Sequence, residues 1–155
     1  MAGMAETARS SVSCNCFAVR QAARRISGFY DGHLAAAGLR TTQYSVLSHL
    51  AKLGPLAINA LAAAMGADRT TMGRAVRPLE REGLVAIGPG RDGRTRALAL
   101  TEAGRRRLEQ AQPHWRRAQA AFEAAYGTDE AAALRTALAR VPESGGPDSG
   151  APEAG

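Results

Sequence analysis

Apolar residues recur at helical spacing over most of the chain, and short polar or glycine-containing segments interrupt the pattern. Residues 16–37 carry apolar side chains every three or four positions, which predicts a helix that Gly38 ends. A second helix is expected to begin at Thr41 or Thr42, since either side chain can cap it. This first third of the chain is therefore expected to be helical throughout.

The middle of the chain alternates between two helices and a hairpin. The segment "INALAAAMG" predicts a short helix, and Asp68 is expected to cap a further helix over residues 69–82, which Gly83 ends. Two short strand-like runs follow, "LVAIG" and "TRALAL", separated by the turn-rich "PGRDG". This pattern predicts a β-hairpin directly after a helix.

The last third of the chain is helical again. Thr101 is expected to cap a long helix, which Pro113 should bend or split, and residues 129–140 predict a final helix. Residues 1–12 and 141–155 are rich in small and polar residues and are expected to be disordered.

Composition limits the classes of protein that this chain can be. A length of 155 residues suits one domain with a core, or a small domain with a dimerisation element. The sequence contains no run of 18 apolar residues and begins without a secretory signal pattern, so we expect a cytoplasmic protein without a membrane span. Its two cysteines are too few for a disulfide scaffold.

The positive charge is concentrated in one quarter of the chain. Residues 69–107 contain ten arginines and four acidic residues, whereas the rest of the chain is neutral, so the whole net charge of +6 falls in this segment. A preference for arginine codons explains why Lys52 is the only lysine, but it does not explain the clustering. A basic segment of this kind is typical of a protein that binds a polyanion.

The order of elements predicts a winged helix-turn-helix. Two helices joined by the tight turn in "AAAMGADRTT" match that motif, and the second of them would present its first residues to base edges in the major groove. The hairpin that follows has the character of a wing, whose arginines would enter the adjacent minor groove. The residues predicted to contact double-stranded DNA are Arg69, Thr70, Thr71, Arg74, Arg77, Arg91, Asp92, Arg94 and Arg96.

The segment "ALAAAMGADRTTMGRAVRPLEREGLVAIGPGRDGRTRALALTEAGRRRL" resembles the winged helix-turn-helix core of the MarR family of bacterial regulators. Five short motifs carry the resemblance. They are Leu61-Ala62, Leu79-Glu80, Gly83-Leu84-Val85, Asp92-x-Arg94 at the hairpin tip and Leu100-Thr101-x-x-Gly104 after the hairpin. With the flanking helices it covers roughly residues 14–140. It implies a mainly α-helical fold with a small β-hairpin wing, formed by one domain over residues 13–140. Within this domain the winged lobe spans about 41–101, and the dimerisation helices span about 14–37 and 102–140.

The resemblance also implies an obligate homodimer, and we expect it to repress or activate transcription from a pseudo-palindromic operator. By the family pattern, Arg94 enters the minor groove and Asp92 orients it. Two residues depart from that pattern: Gly93 replaces a basic residue, and Pro78 lies within the reading helix. These departures leave the individual groove contacts open.

Two other functional classes are weighed against this interpretation. An enzyme is disfavoured because the sequence has no Gly-rich phosphate loop, nucleophile elbow or paired metal motif, and we expect neither a cofactor nor a metal. The alternative is a non-regulatory winged-helix protein, either architectural or RNA-binding, but few aromatic residues are available for base stacking.

The signal that releases DNA is left open between an oxidant and a small aromatic ligand. Cys14 and Cys16 are expected to be one buried and one exposed thiol without a role, a redox switch, or part of a metal site. A ligand cleft is predicted near Tyr30, Tyr44 and His49.

Overall fold

The computed structural model describes residues 14–90 and 92–142. Over these residues the chain forms six α-helices and one antiparallel β-hairpin, in the order α1 (Asn15–Leu34), α2 (Thr41–Leu53), α3 (Ile58–Ala64), α4 (Arg69–Arg81), β1 (Val85–Pro89), β2 (Arg96–Leu100), α5 (Glu102–Tyr126) and α6 (Thr128–Ala139). The mainly α-helical fold with a hairpin wing is therefore confirmed. Residues 1–12 and 143–155, which were expected to be disordered, lie outside the described part of the chain.

The first helix ends slightly earlier than its apolar pattern predicted. Helix α1 stops at Leu34, and Ala35–Ala37 form a 3-10 turn that leads into Gly38. Gly38 adopts a left-handed conformation (φ 67°), which confirms it as the residue that ends this segment.

The start of α2 differs from the sequence prediction. Thr41 lies inside the helix rather than at its cap, and Arg40 is the N-cap residue. The Thr41 hydroxyl donates to the carboxylate of Asp31 (2.7 Å) instead of accepting from its own helix. A partner from α1 thus replaces the local cap that was predicted.

Neither internal proline interrupts its helix. Helix α4 continues through Pro78, and α5 runs unbroken through Pro113, so the split that was considered for the long helix does not occur. Thr101 caps α5 as predicted, because its hydroxyl oxygen accepts the Gly104 N–H (3.0 Å).

The winged lobe, residues 41–100, is built around one apolar core. The hairpin pairs Val85 with Leu100 and Pro89 with Arg96, and Leu56 adds a bridge through hydrogen bonds in both directions with Leu98 (3.0 and 2.7 Å). The core brings together residues from α1, α2, α3, α4, the hairpin and α5. Its completely or nearly completely buried members are Leu34, Val46, Leu47, Leu61, Met72, Leu79 and Val85.

The chain divides into two compact units, the first ending at Gln119 and the second beginning at Ala120. The winged lobe and α1 belong to the first unit. In the second unit, Phe122 stacks on Tyr126 (centroids 5.3 Å apart), and Arg135 pairs with Glu123 (3.2 Å).

Candidate nucleic-acid interface

Helix α4 begins with a well-formed cap. The Asp68 carboxylate accepts the Thr71 N–H (2.8 Å) and the Thr71 hydroxyl (2.7 Å), which confirms the predicted N-cap. The Thr71 backbone bond is the main reason why the pKa of Asp68 falls below its ordinary value, with the hydroxyl bond second. The Thr71 hydroxyl therefore serves the helix start.

The two faces of α4 have opposite character. Met72, Val76 and Leu79 are buried in the core at helical spacing. The opposite face carries exposed polar side chains, which are Arg69, Thr70, Arg74 and Arg77. The lobe's own core thus fixes the orientation of this arginine-rich face.

A groove of about 780 Å³ lies between α4 and β2. Five of the predicted DNA contacts line it together, namely Arg69, Thr70, Arg74, Arg77 and Arg96. Its other lining residues are mostly apolar, with one acidic side chain: Ile58, Gly73, Val76, Glu80, Ile87, Ala97 and Leu98. The fold therefore gathers arginines from two separate elements around one concave surface.

Sequence reasoning did not include Glu80 or Gly73 among the site residues. Both lie along the helical face that begins at Arg69, so strict helical periodicity could have found them. The contribution of Ile58 comes from a different helix and depends on tertiary packing. Thr71, Asp92 and Arg94 do not line the groove, and Arg91 lies outside the described residues.

The wing tip is ordered by a single carboxylate. Asp92 Oδ1 accepts the backbone N–H groups of Arg94 (3.1 Å) and Thr95 (3.0 Å) and the Thr95 hydroxyl (2.7 Å). These bonds lower the pKa of Asp92, the Thr95 backbone bond contributing most, then the Thr95 hydroxyl and then the Arg94 N–H. Asp92 therefore fixes the backbone of Arg94, and within residues 92–142 the Arg94 guanidinium forms no ion pair.

Gly93 occupies the position where the family pattern has a basic residue. Its φ of +68° lies in the left-handed region, which glycine adopts without the steric cost that a side chain brings. The Gly93 N–H closes this turn by donating to the Gly90 carbonyl (2.9 Å), so the position that lacks the basic residue is one where the turn favours glycine.

The base of the wing is fastened to the long helix. The Thr101 hydroxyl donates to the Gly83 carbonyl (2.6 Å), and the Thr101 N–H donates to the Leu84 carbonyl (3.1 Å). A Cβ atom at Gly104 would collide with the Leu84 carbonyl oxygen. Thr101 and Gly104 therefore allow the start of α5 to approach the backbone that leads into β1.

The three consecutive arginines of α5 have different surroundings. Arg107 pairs with Glu82 (3.6 Å) and Arg106 with Glu102 (3.5 Å), whereas Arg105 is exposed. Two of these three arginines therefore have an acidic partner, whereas none of the ion pairs among the described residues includes a groove arginine.

Comparisons with known proteins agree with this geometry. The family model described as "MarR family" matches residues 37–95. The chain is 36% identical to the M. tuberculosis transcriptional regulator MosR, solved in complex with DNA, over 82% of this chain and 98% of that one (TM-score 0.67). The chain belongs to the MarR family.

Two further relatives support the assignment. A probable transcriptional regulator from Pseudomonas aeruginosa is 29% identical, with 84% of this chain and 98% of that chain covered and a TM-score of 0.75. The uncharacterised HTH-type transcriptional regulator YwoH of Bacillus subtilis (strain 168) is 28% identical over 92 residues, which are 59% of this chain and 67% of that protein. As a member of the MarR family, the chain is a DNA-binding transcriptional regulator.

The cysteines of this MarR-family chain lie at the start of α1. Cys14 is the N-cap residue and Cys16 lies in the first turn. Both thiols are free and exposed, so the expectation that one of them would be buried is wrong. The apolar core begins farther along, at Leu34, and the start of α1 packs against no part of it.

The two tyrosines of the predicted ligand cleft have different partners on α5. Tyr30 donates from its hydroxyl to Gln119 Oε1 (2.6 Å), whereas Tyr44 stacks on Trp115 (centroids 5.9 Å apart). Burial raises the pKa of Tyr44, and the nearby positive charge of Arg116 partly opposes this. Trp115 and Gln119 are four residues apart, so both tyrosines meet the same face of α5.

His49 differs from the two tyrosines because its hydrogen-bonding contact lies within its own helix. Its Nδ1 atom lies 2.8 Å from the Ser45 carbonyl oxygen. None of the three cleft residues lines the groove beside α4.

Two kinds of feature are absent from residues 14–90 and 92–142. No described helix combines the length and apolar composition needed to cross a membrane. No three His, Cys, Asp or Glu side chains in this part of the chain are grouped so that they could hold a metal ion.

Proposed function

We propose that this MarR-family regulator binds a pseudo-palindromic operator as a homodimer and represses transcription from it. The observation that carries the proposal is the groove between α4 and β2, where four arginines surround a concave surface with only one acidic side chain. Guanidinium groups bind phosphate oxygens and the O6/N7 edge of guanine bidentately. An arginine-lined groove beside an exposed helix suits the phosphate backbone that borders a major groove.

The roles of individual residues follow from their positions. Arg69 and Thr70 lie in the first turn of α4, and the first turn of a recognition helix reads base edges in this motif. Arg74, Arg77 and Arg96 lie farther along the groove and suit phosphate contacts. These phosphate contacts would supply affinity for any duplex, and the first turn would supply sequence preference.

The wing extends the interface to a second groove. Arg94 is exposed, and Asp92 fixes its backbone, so its side chain leaves the wing from a well-defined point. Narrow minor grooves concentrate negative potential and attract such an arginine. Arg91 shares this role in our proposal on the basis of the sequence alone.

Support for the homodimer comes from exposed apolar side chains on α1. Phe17 and Val19 are 46% and 47% exposed, and Phe29 is 37% exposed. The second unit also exposes apolar residues, namely Tyr126, Leu138 and Val141. A two-fold dimer that covers such surfaces would match the symmetry of a palindromic site.

Two signals for release from DNA are compatible with the chain. The exposed thiols of Cys14 and Cys16 are accessible to an oxidant at the start of a dimer-forming helix. Two residues so close together favour oxidation to sulfenic acid, or a bridge to the other subunit, over a strained bond with each other. A small aromatic ligand near Tyr30, Tyr44 and His49 is the competing proposal.

The DNA-binding proposal is tested with duplexes from the chain's own promoter region. Fluorescence anisotropy at fixed salt should give tighter binding to a footprinted site than to a shuffled duplex or to a structured RNA of equal length. The apparent association constant should fall steeply as salt rises, because several arginines displace counterions from phosphates. Equal affinity for the RNA and the footprinted duplex would favour the non-regulatory alternative.

The two release signals are separated by the double variant Cys14→Ser/Cys16→Ser. Under the thiol proposal, peroxide lowers the operator affinity of the native chain and leaves the double variant bound. Release of the oxidised double variant contradicts that proposal. If the double variant is also released by a phenolic carboxylate, the aromatic-ligand proposal is supported.

A further inference from the structure

The N-cap residue of helix α2 supplies no side-chain acceptor to the helix. Its N-cap residue is Arg40, in an extended conformation (φ −100°, ψ 162°), and an arginine side chain can only donate hydrogen bonds. The first backbone N–H groups of a helix have no partner within it. Gln43 Oε1 accepts the N–H of Arg40 (2.9 Å), which leaves the N–H of Thr41 to be satisfied from elsewhere.

Asp31 of α1 supplies the missing acceptor. Its Oδ1 atom accepts the Thr41 N–H at 2.7 Å and the Thr41 hydroxyl at 2.7 Å, across ten residues of sequence. The contact is partly buried, and the carboxylate charge lies at the positive end of the α2 dipole. A residue of the first helix thus caps the first helix of the winged lobe.

This contact matters because α1 has few other attachments to the core. Leu34 is the one buried residue of α1, and most of the helix before Tyr30 is exposed. A single apolar anchor fixes where a helix meets its neighbour but leaves its direction free. Asp31 lies one helical turn before Leu34 and provides a second fixed point, and the bond from Tyr30 to Gln119 adds a third.

We propose that Asp31 is a positioning residue that sets the direction in which α1 leaves the winged lobe. If α1 joins two subunits, this direction also sets the distance between the two recognition helices. The second statement rests on the dimer and palindrome proposed above, whereas the first depends only on the contacts within one chain. Asp31 touches no residue of the groove beside α4, so its effect on DNA would be exerted through geometry.

The DNA experiment compares four duplexes: the full operator, a duplex with one half-site, and two operators whose half-sites are moved apart by one or by two base pairs. Asp31→Ala should weaken binding to the full operator by about tenfold or more, because the two lobes no longer engage simultaneously. Its affinity for the single half-site should stay within about twofold of the native value. Asp31→Asn keeps the Oδ1 acceptor and Thr41→Ser keeps the hydroxyl, so both variants should bind the full operator with native affinity.

A distance measurement tests the first statement without DNA. Spin labels are attached at Arg24→Cys on α1 and Ala86→Cys on β1, both exposed positions, in a Cys14→Ser/Cys16→Ser background. Labelled chains are diluted into unlabelled chains so that any dimer carries one labelled copy. Asp31→Ala should broaden or shift the distance distribution, and Asp31→Asn should not.

The outcomes separate the two proposals. If Asp31→Ala loses the same affinity for the half-site as for the full operator, and its distance distribution is unchanged, the positioning role is overturned. Asp31 would then only stabilise the fold. If the native chain binds the half-site as tightly as the full operator, the palindromic dimer fails. The distance distribution then still decides whether Asp31 directs α1.

Discussion

Helices α1 and α2 are separated by only six residues, yet they bury their apolar side chains very differently. The 13-residue α2 buries Tyr44, Val46, Leu47 and Leu50, whereas the 20-residue α1 buries only Leu34. Both sequences carry apolar residues at helical spacing, so periodicity alone does not distinguish them. The difference teaches that an apolar stripe identifies a surface to be covered, and not which chain covers it.

The same contrast separates stability from assembly. The winged lobe completes its core with residues of its own unit, so substitutions there should change the free energy of unfolding. Helix α1 leaves Phe17 and Val19 about half exposed, so substitutions there should change association and leave the lobe folded. This contrast makes the proposed dimer interface and the lobe core separable by experiment.

The largest effect is expected from charging α1. Phe17→Glu combined with Val19→Glu should weaken the dimer by roughly 3–6 kcal/mol, since each side chain loses about half of its burial energy in each of two copies. Sedimentation velocity at micromolar concentration should change from a dimer to a monomer.

A matched control adds two glutamates to the winged lobe. Asn59→Glu with Ala60→Glu changes exposed positions of α3 by the same charge and should leave the dimer intact. If the native chain sediments as a monomer, or the α1 variant as a dimer, then α1 is not the covered surface.

A smaller effect is expected in the lobe core, from one substitution at two positions of α2. Leu47 is fully buried and Leu53 is 44% exposed. Leu47→Ala should lower the free energy of unfolding by about 2–5 kcal/mol, because it removes buried methyl groups and leaves a cavity. Leu53→Ala should cost well under half as much. Urea titrations of both variants check this, and equal losses would show that the exposed end of α2 is covered in solution.

Much of this architecture could be predicted from the sequence. Asp68, Thr101 and Gly38 acted as the predicted helix boundaries because each works through bonds to nearby backbone. The cluster of arginines was visible as charge, and helical spacing placed Arg69, Arg74 and Arg77 on one face. Local rules therefore predicted these helix boundaries and the side of the groove that α4 forms.

The parts that escaped prediction depend on residues far apart in the chain. Asp31 replaced the predicted cap of α2 because tertiary packing brought a carboxylate to Thr41, and no local pattern reports that approach. The exposure of both cysteines was missed for the same reason, since α1 has no neighbouring core at its start. Pro113 lies within a continuous helix, so of the two outcomes expected for it, a bend or a split, the split is wrong.

The third prediction tests whether recognition belongs to the lobe alone. Arg94→Ala should weaken binding to the operator by about 1–3 kcal/mol without changing the dimer. Arg91→Ala, if that side chain meets only phosphate, should weaken operator and random DNA alike and lower the salt dependence by about one counterion. Arg135→Ala in α6 is the matched control, because that arginine pairs with Glu123 in the second unit. Unchanged operator affinity of Arg94→Ala would falsify the wing assignment.

The smallest effect concerns the wing turn. Its hydrogen bonds should depend on pH, whereas the packing of the lobe core should not. The Thr95 and Arg94 bonds hold the pKa of Asp92 below its ordinary value. A lowered pKa in the folded state means that the stabilisation is complete above the ordinary aspartate pKa and is lost as the pH falls through the folded-state pKa. Two-dimensional NMR from neutral pH down to about pH 2 should therefore show the Thr95 amide losing its bonded shift at the acid end.

The Leu98 amide, which donates to the Leu56 carbonyl, reports the hairpin base in the same spectra. Its shift should stay constant over the range in which the Thr95 amide moves, because no carboxylate takes part in its bond. Asp92→Asn keeps an acceptor oxygen but cannot titrate, so it should abolish the acid transition at Thr95. A transition that persists in Asp92→Asn, or one that moves Leu98 together with Thr95, would mean that acid acts on the whole lobe and not on this turn.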